Sequence, residues 1–521
     1  MNHLPASPDY DVLIVGSGIM GAAIARSVRD GNPTARILMV DAGPVIGTLP
    51  GQHLHDTPDE EIRRRFAARA AAGNQALYVG VSRLSEDGTA LADAEAGMHS
   101  LSAFGSDTRE MSGSSVSWNV GGMGAHWAAA TPWPYGPEVV DFLPADEWDA
   151  DLETSQRLLR VHPSPYGTTV AGEIVHAALD DVFGDTSDEG RHVQAMPMAV
   201  TISETGRLLR TGPSSIFEPL ALGGDDNFEL RANTLAIRVE YAGSRASGIT
   251  ARDTVTGALS TITAHSTVLA ADTMRTPQLL WASGIRPAAL GKYLNEHAFL
   301  TGRVTVDRER LGITEIPLAR DGEWATTATW LPRSGDNQPF QGQIMQSPVM
   351  DAATGDATDY AVLLALYIPT EVRAENRIEF SDTETDIVGM PRMTVHFSYS
   401  AEDRAMIERA RDRQAAAAQR LGEFVPERDS LLLAPGSSLH YTGTVRMGGA
   451  DDGTSVCNPD GRVWKFDNLY LAGNGVVPTP LTCNSTLTGT ITAVRAARSI
   501  LLDLETATAG ASPIARGIPV A

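Results

Sequence analysis

Cysteine is almost missing from this sequence: Cys457 and Cys483 are the only two in 521 residues. Two thiols cannot build the multi-bridge framework of a small secreted domain, and these lack the spacing and partner histidines of a zinc site, so no metal is expected. Positive charge is also scarce, with 41 Lys and Arg against 64 Asp and Glu and a formal net charge of −23. That balance argues against nucleic acid and anionic membrane surfaces as partners. No apolar run approaches a membrane span, since Val12 to Val15 is far too short. The opening residues, MNHLPASPDYD, carry no basic stretch followed by an apolar one, so no secretory signal is visible. Internal repeats and long low-complexity linkers are missing as well. These absences leave a soluble, cytoplasmic enzyme as the expectation.

What is present is ordinary for a globular chain, 42% hydrophobic and 20% charged. The length favours two or more lobes that one ligand could tie together. Asp11 to Val15 reads as a buried strand, followed by a glycine-rich turn, a helix around Ala22 to Arg29 and a parallel strand from Arg36 to Val40. Thr57-Pro58-Asp59 predicts a helix start leading into EEIRRRFAARAAAG, whose charges read as a solvated face. From Gly113 to Pro134 the composition turns to Gly, Ser, Ala and Trp, as in a loop pressed against something large and flat. Short strands are expected over Ala236 to Tyr241 and Ser266 to Ala270. Thr276-Pro277 should open a helix closed by Gly284, and Ala401 to Gly422 should form a long one. From Thr506 onward the tail is small and polar enough to be disordered or loosely draped.

Gly16-Ser-Gly18-Ile-Met-Gly21 matches G-x-G-x-x-G after a strand and before a helix. Gly16 permits the tight turn, Gly18 lets backbone approach a pyrophosphate, and Gly21 lets the helix pack on the sheet. The pyrophosphate then rests on free amides at the helix N-terminus. Asp41 follows at the distance and strand end where an acid grips a ribose 2′-hydroxyl. The motif does not separate FAD from NAD, but the acid disfavours NADP.

The segment from Gly436 to Ile500 is the richest: GSSLHYTGTVRMGG, then DNLYLAGNGVVPTPLTCNSTLTGTITAVRAARSI. Asn468 to Ala472 reads as a strand, and Asn484 stands just ahead of a helix whose N-terminus carries about half a positive charge. Here the sequence resembles the glucose–methanol–choline (GMC) oxidoreductases over nearly its whole length. The resemblance rests on VGSGIMGAAIA with VDAGP, on AADTMRTPQLLWASGI, and on LHYTGTVRMG with NLYLAGNGVVPTPLTCNSTLT. Within that family NVGGMGAHWAAATP and CNSTLT are most similar to the pyranose oxidases and the bacterial C-glycoside 3-oxidase branch.

The resemblance implies an α/β fold of the GMC and p-hydroxybenzoate hydroxylase type. A discontinuous Rossmann-like FAD-binding domain (9–50, 101–136, 225–300 and 434–505) would interleave with a substrate-binding domain on an antiparallel sheet (137–224 and 301–433), with a flexible tail at 506–521. It implies that His440 is the catalytic base and Asn484 its partner, removing a hydroxyl proton while hydride passes from carbon to flavin N5. The chemistry suits the residues: imidazole accepts a proton near neutral pH, and a carboxamide can donate one hydrogen bond and accept another. Besides Gly16, Gly18, Gly21 and Asp41, the implied FAD contacts are Met20, Ala42, Gly122, Met123, Ala128, Ala236, Ala271, Asn474, Gly475, Thr486 and Leu487, with His126 and Trp127 beside the ring. In pyranose oxidases the histidine matching His126 is bonded to the flavin. Ala125 and Ala128 replace the hydroxyl residues that flank the fungal His-Trp pair, which favours non-covalent FAD over a bond to His126.

The implied reaction is oxidation of a secondary alcohol, at carbon 2 or 3, of a free pyranose or a C-glycoside, with oxygen, a quinone or another small acceptor taking the electrons. A lyase on the same scaffold, a dehydrogenase of a non-sugar alcohol and a flavin-loaded binding protein are the alternatives. QGQIMQSPVMDAATGDATDYA resembles the family's active-site loop, with Pro348 to Asp359 either a mobile lid or an ordinary surface loop. The chain lacks the head-like insertion of the fungal enzymes, so their tetramer does not define its oligomeric state.

Overall fold

A computed structural model describes residues 8–64, 97–184, 187–351 and 353–510. Tyr10–Val15, Ile19–Gly31 and Ile37–Val40 form the strand, helix and parallel strand read from the sequence. They sit in a seven-stranded sheet whose spatial order is Thr234–Ala242, Arg245–Asp253, Leu259–Leu269, Tyr10–Val15, Ile37–Val40 and Phe228–Arg231, with Leu469–Leu471 also paired to Leu259–Leu269. Four of its pairings are parallel, and Val12, Leu13, Ile14, Ile37, Leu38, Met39, Leu469 and Leu471 are buried on both faces, as a sheet covered by helices requires. Helix Ser485–Gly510 packs beside Ile19–Gly31 through Leu487, Ala493, Ala496, Ala497 and Ile500. It runs past Thr506, so the expected tail is helical as far as Gly510.

The second sheet has six strands, all antiparallel: Ser430–Leu432, Ala298–Thr305, Ala357–Ile368, Gln341–Met350, Thr327–Leu331 and Gln194–Ala195. Alternation along its strands makes two faces. Leu300, Ile344, Val362, Leu364 and Leu366 bury against helices Val170–Phe183 and Ala401–Leu421. Phe299, Gln341, Gln343, Ala365 and Tyr367 belong to the opposite face. The boundary expected at 300/301 falls inside Ala298–Thr305, whose pairings all lie in this sheet, so the whole strand belongs with it. The expected lid, Pro348 to Asp359, is the outer end of a hairpin, with Pro348 opposite Tyr360 and Met350 opposite Ala357.

One local reading changes here. The helix expected to open at Thr276-Pro277 begins at Asp272, whose carboxylate accepts the N–H groups of Met274 and Arg275. Pro277 therefore lies inside it, where proline ordinarily costs about 3 kcal/mol and strands the carbonyl four residues back. That carbonyl, on Thr273, accepts the Thr444 hydroxyl instead at 2.5 Å. The helix after Pro58 is described only to residue 64, its start capped by the Asp59 carboxylate on Ile62; the rest lies outside the described residues. Among the described residues no helix is long and apolar enough to cross a membrane, and no group of three or more His, Cys, Asp or Glu is placed to hold a metal.

Candidate active site

A cavity of about 270 Å³ is lined by the glycine-rich turn, the loop that carries His126, residues 234–236 and 270–279, Met390, and the segments that carry His440 and Asn484. The glycine-rich turn supplies Gly16, Gly18 and Met20, the next strand end Asp41 and Ala42, and the third layer Ala236 and Ala271. Gly16 has φ +106°, and a Cβ there would stand 2.3 Å from the Ala270 carbonyl oxygen, so only glycine fits. Gly18 opens on space, its added Cβ meeting nothing nearer than 3.8 Å. It caps helix Ile19–Gly31, which has neither a capping side chain nor an acid in its first turn. That helix end is left as an anion cradle, which fits the pyrophosphate of a dinucleotide. Asp41 faces the same cavity while its Oδ2 accepts the Ser17 N–H (3.1 Å) and hydroxyl (2.6 Å) and its Oδ1 the Gly43 N–H (2.9 Å). Ser17 Oγ in turn accepts the Gly121 N–H, so the acid braces both loops at the cradle.

Gly122, Met123, His126, Trp127, Ala128, Asn474 and Thr486 also line the cavity. Gly21, Gly475 and Leu487 do not. Gly21 is packed on the Gly16 carbonyl, 2.1 Å from an added Cβ, Gly475 is held by its carbonyl on the Val445 N–H, and Leu487 is buried in the core. His126 is buried, and its Nε2 lies 2.9 Å from Asn119 Oδ1. Asn119 Nδ2 donates to the Val120 and Gly122 carbonyls, which fixes Oδ1 as the acceptor and puts the hydrogen on His126 Nε2. Trp127 donates its indole N–H to the Thr211 carbonyl and packs.

His440 and Asn484 meet at the cavity wall, His440 Nε2 lying 3.4 Å from Asn484 Nδ2. They are the middle of a longer chain. Trp330 Nε1 donates to Gln341 Oε1 (3.0 Å), and Gln341 Nε2 donates to Asn484 Oδ1 (3.1 Å). On the other side His440 Nδ1 lies 2.8 Å from His297 Nε2, and His297 Nδ1 lies 3.1 Å from the Leu481 carbonyl. An indole can only donate and a carbonyl can only accept. With both ends fixed, each amide orientation and tautomer between them follows: His297 carries its hydrogen on Nδ1, His440 carries its hydrogen on Nδ1, and His440 Nε2 is left with a lone pair. The outcome is a neutral base directed at Asn484.

Burial pushes the His440 pKa down to about 4, and burial together with His440 holds His297 well below the usual imidazole range. Both rings are therefore neutral at physiological pH. Burial raises the neighbouring Glu296 to about 7 against the pull of its hydrogen bonds from Ser438 and Gly436. Sequence reasoning reached His440 and Asn484 but not His297, Gln341 or Trp330. Their signal is spatial, since Gln341 is 143 residues from Asn484 and His297 is 143 from His440.

Family profiles described as GMC oxidoreductase match residues 217–299 and 372–493. The chain is 37% identical to a C-glycoside 3-oxidase of Microbacterium trichothecenolyticum over 94% of its own length and 96% of that protein. It is 36% identical to a C-glycoside 3-oxidase of Arthrobacter globiformis, covering 95% and 96%. A pyranose 2-oxidase of Tricholoma matsutake is 27% identical, covering 94% and 93%. Among solved structures, pyridoxine 4-oxidase from Mesorbium loti shares the fold, with TM-score 0.59 at 15% identity over 94% of this chain and 99% of that one.

Proposed function

The chain belongs to the GMC oxidoreductase family, and from that premise we propose that it oxidises a secondary alcohol of a pyranose, at carbon 2 or 3, to a keto sugar, with His440 as the base and Asn484 as its partner. The cofactor is FAD. The observation that carries the reading is the fixed polarity of the hydrogen-bond chain, which places on His440 Nε2 a lone pair at the cavity wall engaged by the long contact to Asn484.

Gly16, Gly18 and Met20 would hold the FAD diphosphate, Asp41 the ribose, and His126, Trp127 and Thr486 the flavin. When bound, FAD supplies the two-electron acceptor for the hydride of the carbinol carbon. The substrate hydroxyl gives its proton to His440 Nε2. Asn484 has its Oδ1 committed to Gln341, so it presents N–H to the substrate oxygen rather than both a donor and an acceptor. Its 3.4 Å separation from His440 Nε2 is long for a hydrogen bond and readily exchanged for one to that hydroxyl. Gln343 lies two residues beyond Gln341 on the same sheet face, is 8% exposed, and has an Oε1 with no hydrogen-bond partner among the described residues. A buried, unsatisfied acceptor of that kind suits a polyhydroxylated substrate.

The 37% and 36% identical relatives make carbon 3 of a C-glycoside the first substrate to test. Anaerobic mixing with free sugars and aryl C-glycosides should bleach the flavin and yield a keto sugar. Persistent yellow colour with every sugar and glycoside would end this reading, and a product formed without bleaching would establish a lyase.

Attachment is read as non-covalent because Ala125 and Ala128 stand where the pyranose-oxidase pattern has hydroxyl residues, and the His126 Nε2 hydrogen is held by Asn119. Acid precipitation should leave the yellow chromophore in the supernatant; flavin fluorescence on the denatured polypeptide would contradict it. Asp41→Ala should weaken FAD retention by roughly tenfold or more, as expected when a charged acceptor is removed. The holoenzyme that remains should be reduced at the normal rate. Unchanged FAD affinity would refute the role given to Asp41.

A further inference from the structure

We propose that two buried carboxylates, Glu138 and Glu296, are positioning residues that set the separation of His440 and Asn484 by clamping the two turns that carry them. The proposal rests on the assignment of that pair above. Neither His440 nor Asn484 lies within a helix or strand, yet each must hold its place at the cavity wall. Both follow a short turn whose N–H groups converge on one glutamate.

Glu296, 2% exposed, accepts the Gly436 N–H on Oε2 (2.5 Å), and the Ser438 N–H (3.1 Å) and hydroxyl (2.5 Å) on Oε1. Ser438 Oγ accepts the His440 N–H at 3.1 Å, which carries the grip onto the base itself. Between them Leu439 stands at φ +62°, a left-handed conformation that a leucine adopts only when its surroundings impose it. The next residue after Glu296 is His297, which holds the His440 ring at Nδ1. One dipeptide thus fixes the base through both its backbone and its imidazole.

Glu138, 1% exposed, does the same for the amide. Its Oε1 accepts the Thr482 N–H (2.5 Å) and hydroxyl (2.6 Å) and the Cys483 N–H (2.9 Å), while its Oε2 accepts the Tyr135 N–H (2.9 Å). Each carboxylate faces donors alone, which explains why an acceptor-only side chain stands there. A glutamine would turn its NH₂ toward one of those donors, so the amide variant disturbs the clamp with almost no change in shape.

The test is a double-mutant cycle on anaerobic flavin reduction, read together with FAD content, melting temperature and sugar KM. Glu296→Gln and Glu138→Gln should each slow reduction roughly tenfold, as for a small misplacement of reacting groups, with KM and FAD content within about twofold of the parent. Glu296→Gln should add nothing in the His440→Ala background, and Glu138→Gln nothing in the Asn484→Ala background. Ser438→Ala and Thr482→Val, which remove only one hydroxyl from each clamp, should act in the same direction by a few fold, and they decide the matter if a glutamine variant fails to fold. Losses that persist undiminished in those backgrounds, or that track lost FAD, would make the glutamates mere scaffold and overturn the proposal, as would unchanged rates in all four variants. Near-normal reduction by His440→Ala would overturn the assignment of the base itself, and the clamps with it.

Discussion

Replacing His440 by alanine is expected to slow anaerobic flavin reduction by on the order of a hundredfold or more while leaving FAD bound. The imidazole is the group at the cavity wall whose Nε2 lone pair is held only by a long contact within the chain from Trp330 to Leu481. Its loss removes the proton acceptor without touching the cradle at Gly16 and Gly18. The pH dependence gives a second readout of the same residue. Burial favours the neutral ring, so the base form persists above the folded pKa of about 4 and is lost as pH falls through it. The parent rate should therefore decline roughly tenfold per unit as pH falls below about 4. The alanine variant should lack that limb. A variant that reduces at nearly the parent rate, or that keeps the limb, would place the base elsewhere.

Asn484→Ala should cost nearly as much, also about a hundredfold, through lost orientation rather than lost basicity. The carboxamide is held by Gln341 in one rotamer state and offers N–H groups toward His440 and the substrate oxygen. Without it the hydroxyl is free to turn away, while His440 keeps its bond to His297. The acid limb near pH 4 should accordingly survive in Asn484→Ala, which separates the two roles within one experiment. A rate within a few fold of the parent would remove Asn484 from the chemistry.

The dinucleotide half was legible because its determinants are local. Strand, glycine turn, helix and acid occupy residues 10–41, and each glycine has a steric reason visible in the motif. His440 and Asn484 were legible through resemblance and not through spacing, since one histidine among 12 carries no signal alone. The helix start at Asp272 was misread because proline normally marks a first turn, and the hydroxyl that makes Pro277 tolerable comes from Thr444, 171 residues away. Glu138 and Glu296 were hidden for a similar reason. A lone acid in sequence looks like surface, and only the folded chain shows the converging N–H groups that satisfy a buried carboxyl group.

The donor-to-acceptor chain that ends on the Leu481 carbonyl also governs what becomes of the proton once His440 has taken it. Inward transfer stops at His297, whose Nδ1 hydrogen points at an oxygen that has no proton to pass on and nowhere to relay one. His297 is itself held well below the usual imidazole range by burial and by His440. A proton taken from a sugar hydroxyl would therefore stay on His440 at the cavity wall. It would leave from the cavity side and not through this chain of residues.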